Sequence, residues 1–205
     1  MRWMWKHCGE RLGFRLRHSL SRQSDCASKM PFRCKSCGEI HNDDALGFSF
    51  RAPAYFEGVS PTLQATSILT GDQCIVGDHF FVAGCLEVPI IGTNKFFGWT
   101  AWVSLSEKNF KRMAELWATP GRESEPAYFG WFSNSLPEYL ETLNLKVSLH
   151  TRPVGVRPLI ELEPTSHPLA VEQRGGVSSA RAQELAEKLR HSVQDVLPMD
   201  STASS

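Results

Sequence analysis

The residues best suited to chemistry lie together near the start of the chain, in the segment Cys34-Lys-Ser-Cys37-Gly38-Glu-Ile-His41. A gap of two residues lets two thiolates converge on one ion, and His41 adds a third donor of a type that zinc prefers. Glycine after the second cysteine allows the backbone to turn tightly. The segment therefore predicts a zinc-knuckle-like turn with Cys34, Cys37 and His41 as ligands.

A tetrahedral zinc site needs a fourth ligand, which the neighbouring sequence does not supply. A zinc ribbon would have a second Cys-x-x-Cys pair, and a retroviral-type knuckle would have a cysteine shortly after His41; the sequence has neither. Cys74 is the first candidate, because it follows Asp72 at the start of a predicted strand that could pack near the turn. Cys8, His79 and His167 are the alternatives, whereas Cys85 lies in an apolar strand, where a cysteine commonly serves as a small core residue. Two or three sulfur ligands favour a structural zinc over a catalytic one.

A second group of residues would suit a hydrolase. His167 lies in a predicted loop after a strand that carries Arg157, Glu161 and Glu163. A histidine that meets a carboxylate in a cleft can act as a general base. A histidine before a proline, however, more commonly bonds the backbone of a turn. The sequence also lacks a nucleophile elbow, a P-loop and a dinucleotide-binding fingerprint.

Composition limits the classes of protein to consider. The chain has 205 residues, of which 41% are hydrophobic and 21% are charged, with 22 basic and 22 acidic side chains. This balance is typical of a globular protein with no general attraction to nucleic acid or membranes. We find no secretory signal before the six cysteines. The sequence also has no apolar run of about 20 residues, the length of a membrane-spanning helix. We therefore expect a cytoplasmic protein whose thiols are reduced or metal-bound.

The segment 1–30 differs in charge from the rest of the chain. It contains seven basic and two acidic side chains, a net charge of +5, and because the whole chain is neutral, the segment 31–205 carries −5. We interpret residues 1–30 as a basic extension outside the fold. The alternatives are an organelle transit peptide, a tail that binds nucleic acid or lipid, and a true start at Met30.

The remaining chain predicts one globular domain over residues 31–197, followed by a disordered tail at 198–205. Apolar runs bounded by glycine and proline predict several strands, namely Gln73–Val76, Phe80–Ile91, Lys95–Leu105, Tyr128–Phe132, Leu145–Thr151 and Arg157–Glu163. Helices are predicted over Thr62–Leu69 and along two apolar stripes, at Phe110–Trp117 and Ala182–Val193. The fold class is therefore α+β, with a mostly antiparallel sheet and a few helices.

Some of these elements carry sharper predictions. Large apolar residues on both faces of Lys95–Leu105 indicate a strand covered on both sides. A short turn after Thr151 would place Lys146 opposite Glu163 and Ser148 opposite Glu161. The spacing of Ser104 and Glu107 suggests a capping box for the middle helix, and Ser178 or Ser179 would cap the last one.

These motifs, in this order, resemble a bacterial family of unknown function, DUF2199, over about residues 31–185. The resemblance is carried by Phe32-x-Cys34-x-x-Cys37-Gly38-x-x-His41, Asp72-x-Cys74, Phe80-Phe81-Val82-x-Gly84, Trp99-x-x-Trp102-Val103-Ser104-Leu105-Ser106, Gly130-Trp131, Tyr139-x-x-Thr142-x-x-Leu145-Lys146, Arg157-Pro158 and His167-Pro168-Leu169-Ala170. It implies a single domain that excludes the segment 1–30, and it favours Cys74 as a metal ligand. It brings no established activity.

The predicted function is a binding or regulatory module that has a structural zinc and engages another protein. A hydrolase that uses His167 with Glu161, Glu163 or Arg157 is the first alternative. A nucleic-acid-binding zinc protein is the second, and the −5 charge of residues 31–205 argues against it, because phosphate contact needs clustered Lys and Arg.

Overall fold

Strands dominate the structure, a computed structural model that describes residues 26, 31–35, 37–41, 46–191 and 196–198. The predicted basic extension, apart from Cys26, and the predicted tail from residue 199 lie outside the described residues. In the described parts, the strands are β1 (Phe32–Arg33), β2 (Ile40–His41), β3 (Gly47–Phe50), β4 (Ile68–Leu69), β5 (Gln73–Val76), β6 (His79–Pro89), β7 (Phe96–Leu105), β8 (Tyr128–Phe132), β9 (Lys146–His150), β10 (Leu159–Leu162) and β11 (Val196–Pro198). The helices are α1 (Ala54–Gly58), α2 (Pro61–Thr66), α3 (Glu107–Glu115), α4 (Pro168–Gly175) and α5 (Ser179–His191). The predicted α+β class with a mostly antiparallel sheet is confirmed.

Five consecutive strands close into a barrel. From β6 to β10, each strand pairs antiparallel with the next. The barrel closes where β10 returns to β6 in parallel, with Leu159 opposite Cys85 and Ile160 opposite Leu86. Beyond the barrel, β3 pairs in parallel with β7, and β5 pairs antiparallel with β6. Closure leaves none of these five strands with a free edge over its barrel segment.

The inside of the barrel is filled with side chains. The strand registers place one alternating set of residues on the inner face, and all of these are buried: Val82, Leu86, Trp99, Ala101, Val103, Phe132, Val147, Leu149 and Ile160. Two inner positions have no room for a side chain. A Cβ atom at Gly84 would lie 2.8 Å from Ile160 Cγ1, and one at Gly130 would lie 2.5 Å from Val103 Cγ1. Glycine therefore permits the close approach of neighbouring strands.

The outer face of β6 and β7 is covered as well. Trp102 is buried there, and its indole Nε1 donates to the carbonyl oxygen of Phe50 at 3.0 Å. Asn134 connects the same region, since its Oδ1 accepts from the Trp102 amide at 2.7 Å and its Nδ2 donates to the Ala52 carbonyl at 3.0 Å. The predicted burial of this strand on both faces is confirmed.

The hairpin register predicted from the polar residues is also confirmed. Ser148 lies opposite Glu161, and Lys146 Nζ lies 3.9 Å from Glu163 Oε2. On β9, Val147 and Leu149 point into the barrel and Lys146 is exposed. The alternation of apolar and polar residues thus determines the pairing of these two strands.

The ends of two helices differ from the predictions, and for a third the structure selects one of two predicted capping residues. Ser106, rather than Ser104, caps α3 by accepting from the Asn109 amide at 3.2 Å, because Ser104 still pairs with Trp131 inside the sheet. Helix α2 ends at Thr66, where the prediction extended to Leu69. Of the two serines proposed as caps for α5, Ser178 accepts from the Arg181 amide at 3.1 Å.

The two last helices lie against this sheet and position the candidate site. Helix α5 buries the predicted stripe of Ala182, Leu185, Ala186 and Leu189 in the core. Strands β1 and β2 form a separate two-stranded hairpin beside the opposite face of α5. None of the described helices combines the length and the apolar character that a membrane crossing requires.

Replacing Gly130 tests the packing of the barrel. In Gly130→Ala, the new methyl group would meet Val103 and, at 2.6 Å, the backbone oxygen of Ser104, which cannot move without disturbing the strand pairing. We expect the free energy of unfolding to fall by about 2 kcal/mol or more in urea denaturation. Gly58→Ala is the matched control, because no atom lies within 4 Å of its added Cβ, and it should change stability by less than about 0.5 kcal/mol. Equal denaturation midpoints for the two variants would contradict this account of the barrel.

Candidate metal centre

The predicted zinc-knuckle segment folds as a tight hairpin between β1 and β2. Phe32 pairs with His41, and the chain reverses through Gly38, whose φ of 77° lies in the left-handed region that glycine adopts without strain. The Gly38 amide donates to the Cys34 carbonyl at 2.9 Å, and the Cys34 amide donates to the Glu39 carbonyl at 2.8 Å. This geometry brings His41 back beside the cysteines.

Four donor atoms converge beside the turn of this hairpin. Cys37 Sγ lies 3.4 Å from His41 Nε2, and Cys34 Sγ lies 3.1 Å from Nε2 of His191, the last residue of α5. The four ligand atoms all lie within 4.8 Å of one another. The hairpin and the end of α5, which are remote from each other in sequence, thus form one cluster.

The donor set and its spacing fit a zinc ion. Zinc–sulfur bonds of about 2.3 Å and zinc–nitrogen bonds of about 2.0–2.1 Å place a sulfur and a nitrogen about 3.6 Å apart on a tetrahedron. Two sulfur–nitrogen distances in the cluster, 3.1 and 3.4 Å, are somewhat shorter than that value, and all donor atoms lie within 4.8 Å of one another. Two thiolates and two imidazoles form one of the common ligand sets of structural zinc.

Helix α5 holds the hairpin through two side chains that share a face with His191. Gln183, Glu187 and His191 are spaced four residues apart, so they form a row on the helix. Glu187 Oε1 accepts from the Lys35 amide and from Gln183 Nε2, both at 2.9 Å. The hydrogen bond from Gln183, followed by the one from the Lys35 backbone, lowers the pKa of the Glu187 carboxyl. A negatively charged Glu187 therefore fixes the backbone beside Cys34.

The cluster lies at the surface, with one buried side. Cys34 is buried in the core together with Phe32, whereas Cys37 and His191 are exposed and His41 is half-buried. The Phe32 and His41 rings are 5.5 Å apart. An ion could therefore enter from solvent through the exposed side and be held on the other side by the buried Cys34.

Cys74, the first candidate for the fourth ligand, is not part of this cluster. It lies in β5, paired with Phe81 of β6 and Leu69 of β4, and it is fully buried in the main hydrophobic core. Burial raises the pKa of its thiol to about 12. The preceding Asp72 forms an ion pair with Arg157, with Oδ1 2.8 Å from Nε. The structure therefore places Cys74 as an apolar packing residue.

The residues of the hydrolase hypothesis each have a partner outside the hypothesised group. His167 caps α4, a helix that the sequence did not predict: Nδ1 accepts from the Leu169 amide at 3.2 Å, and Nε2 lies 2.8 Å from the Leu140 carbonyl. Because both ring nitrogens are engaged, neither has a free lone pair for proton abstraction.

The acidic and basic members of that group also have other partners. Glu161 lies 2.7 Å from His150 on the outside of the barrel, and Glu163 faces Lys146. Arg157 is bound to Asp72 and the Gly71 carbonyl. The structure thus engages all four side chains in contacts other than those that a shared catalytic group would need.

His191 is the site residue that was not predicted from the sequence. Its signal is the spacing of Gln183, Glu187 and His191, which lie one helical step of four residues apart on the polar side of the predicted apolar stripe. That spacing puts a histidine at the end of a polar row. It does not identify what the row faces, since β1 and β2 are remote in sequence.

The prediction of reduced or metal-bound thiols is wrong for two of the six cysteines. Cys26 and Cys85 form a disulfide, with Cα atoms 5.1 Å apart, and both residues are fully buried. Cys85 is a core residue, as predicted, but it sits on the outer face of β6, where Cys26 can reach it. Sequence position offered no sign of this pairing, because the two cysteines have a sequence separation of 59.

Comparison with known proteins identifies the matched part of the chain. The sequence model of a family described as an uncharacterized protein conserved in bacteria, DUF2199, matches residues 33–177. Searches of curated proteins and of solved structures found no match. The match includes Cys34, Cys37 and His41, and it ends before α5 and His191.

The different surroundings of the cysteines predict different reactivity. At pH 8, a thiol with a pKa of about 12 is ionised in about one molecule in ten thousand, and Cys74 is also buried. In metal-free native protein, iodoacetamide should therefore alkylate the exposed Cys37 and leave Cys74 unmodified, as measured by peptide mass spectrometry. Alkylation in urea, where Cys74 becomes accessible, is the control. Equal labelling of both cysteines in the native protein would show that Cys74 is not a core thiol.

Proposed function

This chain belongs to the bacterial DUF2199 family, and we propose that it is a zinc-binding protein in which Cys34, Cys37, His41 and His191 hold one structural zinc ion. The observation that carries the proposal is the convergence of four zinc-type donor atoms within 4.8 Å. Side chains from near the two ends of the described chain meet there. Bound zinc would link the β1–β2 hairpin to α5 through coordinate bonds.

The small size of the hairpin supports a structural role for the metal. Strands β1 and β2 have two residues each, and an isolated two-stranded hairpin is only marginally stable in water. The hydrogen bonds from Lys35 to Glu187 and from Gln183 to the Arg33 carbonyl are two of the polar contacts that join it to α5. Coordination by two residues of the turn, one of β2 and one of the helix would hold this segment more firmly than those contacts.

The donor set favours structure over catalysis. Four protein ligands complete a tetrahedron and leave no open position for a reactive water. Together with the engaged ring nitrogens of His167, this supports a binding or regulatory module and speaks against a hydrolase.

Metal content of ligand variants tests the site. Wild-type protein, purified without a metal-affinity tag, should contain about one zinc per chain by inductively coupled plasma mass spectrometry. Cys34→Ser and His191→Asn each remove one of four ligands and should lose most of that zinc. Chelator treatment should lower the melting temperature of the wild type and leave that of His191→Asn nearly unchanged, because binding to the folded state alone stabilises it.

Two further variants serve as matched controls. Cys74→Ala removes a buried thiol outside the cluster, and His150→Asn removes a histidine on the outside of the barrel. Both should keep about one zinc per chain. Retention of zinc in His191→Asn together with its loss in Cys74→Ala would overturn the proposed ligand set, and wild-type protein without zinc would overturn the proposal itself.

The contact between Glu187 and Lys35 predicts a smaller effect on affinity. Glu187→Ala removes the acceptor that fixes the backbone beside Cys34, and supporting hydrogen bonds of this kind typically change metal affinity by about tenfold or more. Competition with a chromogenic chelator should therefore give about a tenfold larger zinc dissociation constant. Glu184→Ala is the control, since Glu184 lies on the same helix and pairs with Arg181 and Lys188. Equal dissociation constants for the two variants would exclude this role for Glu187.

A further inference from the structure

The Cys26–Cys85 disulfide joins the barrel, at Cys85 of β6, to the chain just before the candidate metal centre, at Cys26. Cys85 lies on the outer face of β6, opposite Thr100 of β7 and Leu159 of β10, and is fully buried. Cys26 precedes Cys34 by a short stretch of chain. The disulfide thus attaches the chain just before the β1–β2 hairpin to β6, a strand that pairs with β5, β7 and β10.

In the oxidised protein, the chain is therefore fixed both before and after the β1–β2 hairpin. Downstream, β3 is fixed by its parallel pairing with β7, where Gly47 lies opposite Gly98. Upstream, Cys26 is fixed to Cys85. Three of the four donor residues, Cys34, Cys37 and His41, lie on the segment between these two anchor points. Opening the disulfide removes the upstream anchor and leaves the downstream one.

From this arrangement we infer that the Cys26–Cys85 disulfide controls the metal site, so that the oxidised protein binds zinc more tightly than the dithiol form. The inference rests on the proposed zinc site and adds its regulation. With both ends of the segment anchored, the metal-free hairpin explores fewer conformations and loses less entropy when an ion orders it. We expect this difference in conformational entropy to change the zinc dissociation constant by about tenfold.

The chemistry of the switch is thiol–disulfide exchange with a small-molecule thiol of the glutathione class. A thiolate attacks one sulfur of the disulfide, and the other cysteine leaves as a thiolate and takes up a proton. A second small thiolate attacks the small-molecule sulfur of the mixed disulfide and releases the second cysteine, which is also protonated. Two small thiols are oxidised to one disulfide, and the protein disulfide gains two electrons and two protons.

Coupling of this kind acts in both directions. If oxidation tightens zinc binding by a given factor, zinc must stabilise the disulfide by the same factor. In glutathione buffers, the ratio of squared reduced to oxidised glutathione at half-reduction should therefore rise about tenfold with saturating zinc, which corresponds to about 30 mV. Since both sulfurs are buried, exchange requires the segment to open, and long incubation is needed to reach equilibrium.

The test compares zinc affinity in three forms of the full chain. Zinc dissociation constants are measured by chelator competition for oxidised wild type, Cys26→Ser and Cys74→Ala. Cys26→Ser removes the disulfide and leaves Cys85 as a core residue, and Cys74→Ala controls for the loss of a cysteine elsewhere. We expect about a tenfold larger constant for Cys26→Ser and an unchanged one for Cys74→Ala. Equal constants for wild type and folded Cys26→Ser would overturn the inference while leaving the zinc site in place.

If Cys26→Ser does not fold, the redox titration of wild type tests whether the disulfide and zinc binding are coupled. If the ratio of squared reduced to oxidised glutathione at half-reduction rises about tenfold with zinc, the coupling is supported. An unchanged ratio overturns it. Wild-type protein that binds no zinc in any redox state would overturn the proposed zinc site itself, an outcome distinct from zinc binding that is independent of the disulfide.

Discussion

The parallel return of β10 onto β6 is the constraint on which the rest of the structure depends. Without it, β6 to β10 would form an open meander, in which β10 and the Cys85–Leu86 part of β6 would have unpaired edges. Apolar residues such as Leu86, Leu149 and Ile160 would then lack the side chains that pack opposite them. Closure brings these side chains together and forces neighbouring backbones close enough that Gly84 and Gly130 cannot carry a side chain. The same pairing places Leu159 beside Cys85, so the anchor of the disulfide lies at the closing seam.

The candidate metal centre follows from where this closure leaves the chain. After β10, α4 begins at the cap made by His167, and α5 then buries one face against the sheet. Because a helix that is apolar on one side presents a polar row on the other, Gln183, Glu187 and His191 become available to the hairpin of β1 and β2. The barrel therefore positions His191, although no barrel residue donates to the cluster.

Elements built on local periodicity could be predicted from the sequence. Alternation along Lys146–His150 led to the correct hairpin register, and the stripe that begins at Ala182 led to the buried face of α5. The local part of the metal centre was equally accessible, since Cys34, Cys37 and His41 are separated by one turn. The fourth donor was not, because the docking of α5 against β1 and β2 is a tertiary contact with no local signature. Arg122 illustrates the same limit: its buried guanidinium donates to carbonyls of Trp117, Arg152, Pro153 and Val156, which only the folded chain brings together.

The forces that hold the molecule change from its centre to its ends. The barrel is held by apolar burial and by paired backbone groups on every strand. In the described part of the segment 31–41, Phe32 and Cys34 are the buried side chains, so its share of the hydrophobic effect is small compared with the entropy of ordering it. A disulfide on one side of this segment, and four metal-type ligands that meet beside its turn, are the kinds of interaction that small, weakly buried segments use in place of a core. Cys34, Cys37, His41 and His191 therefore lie together at the edge of the fold, where packing alone is insufficient to hold the chain.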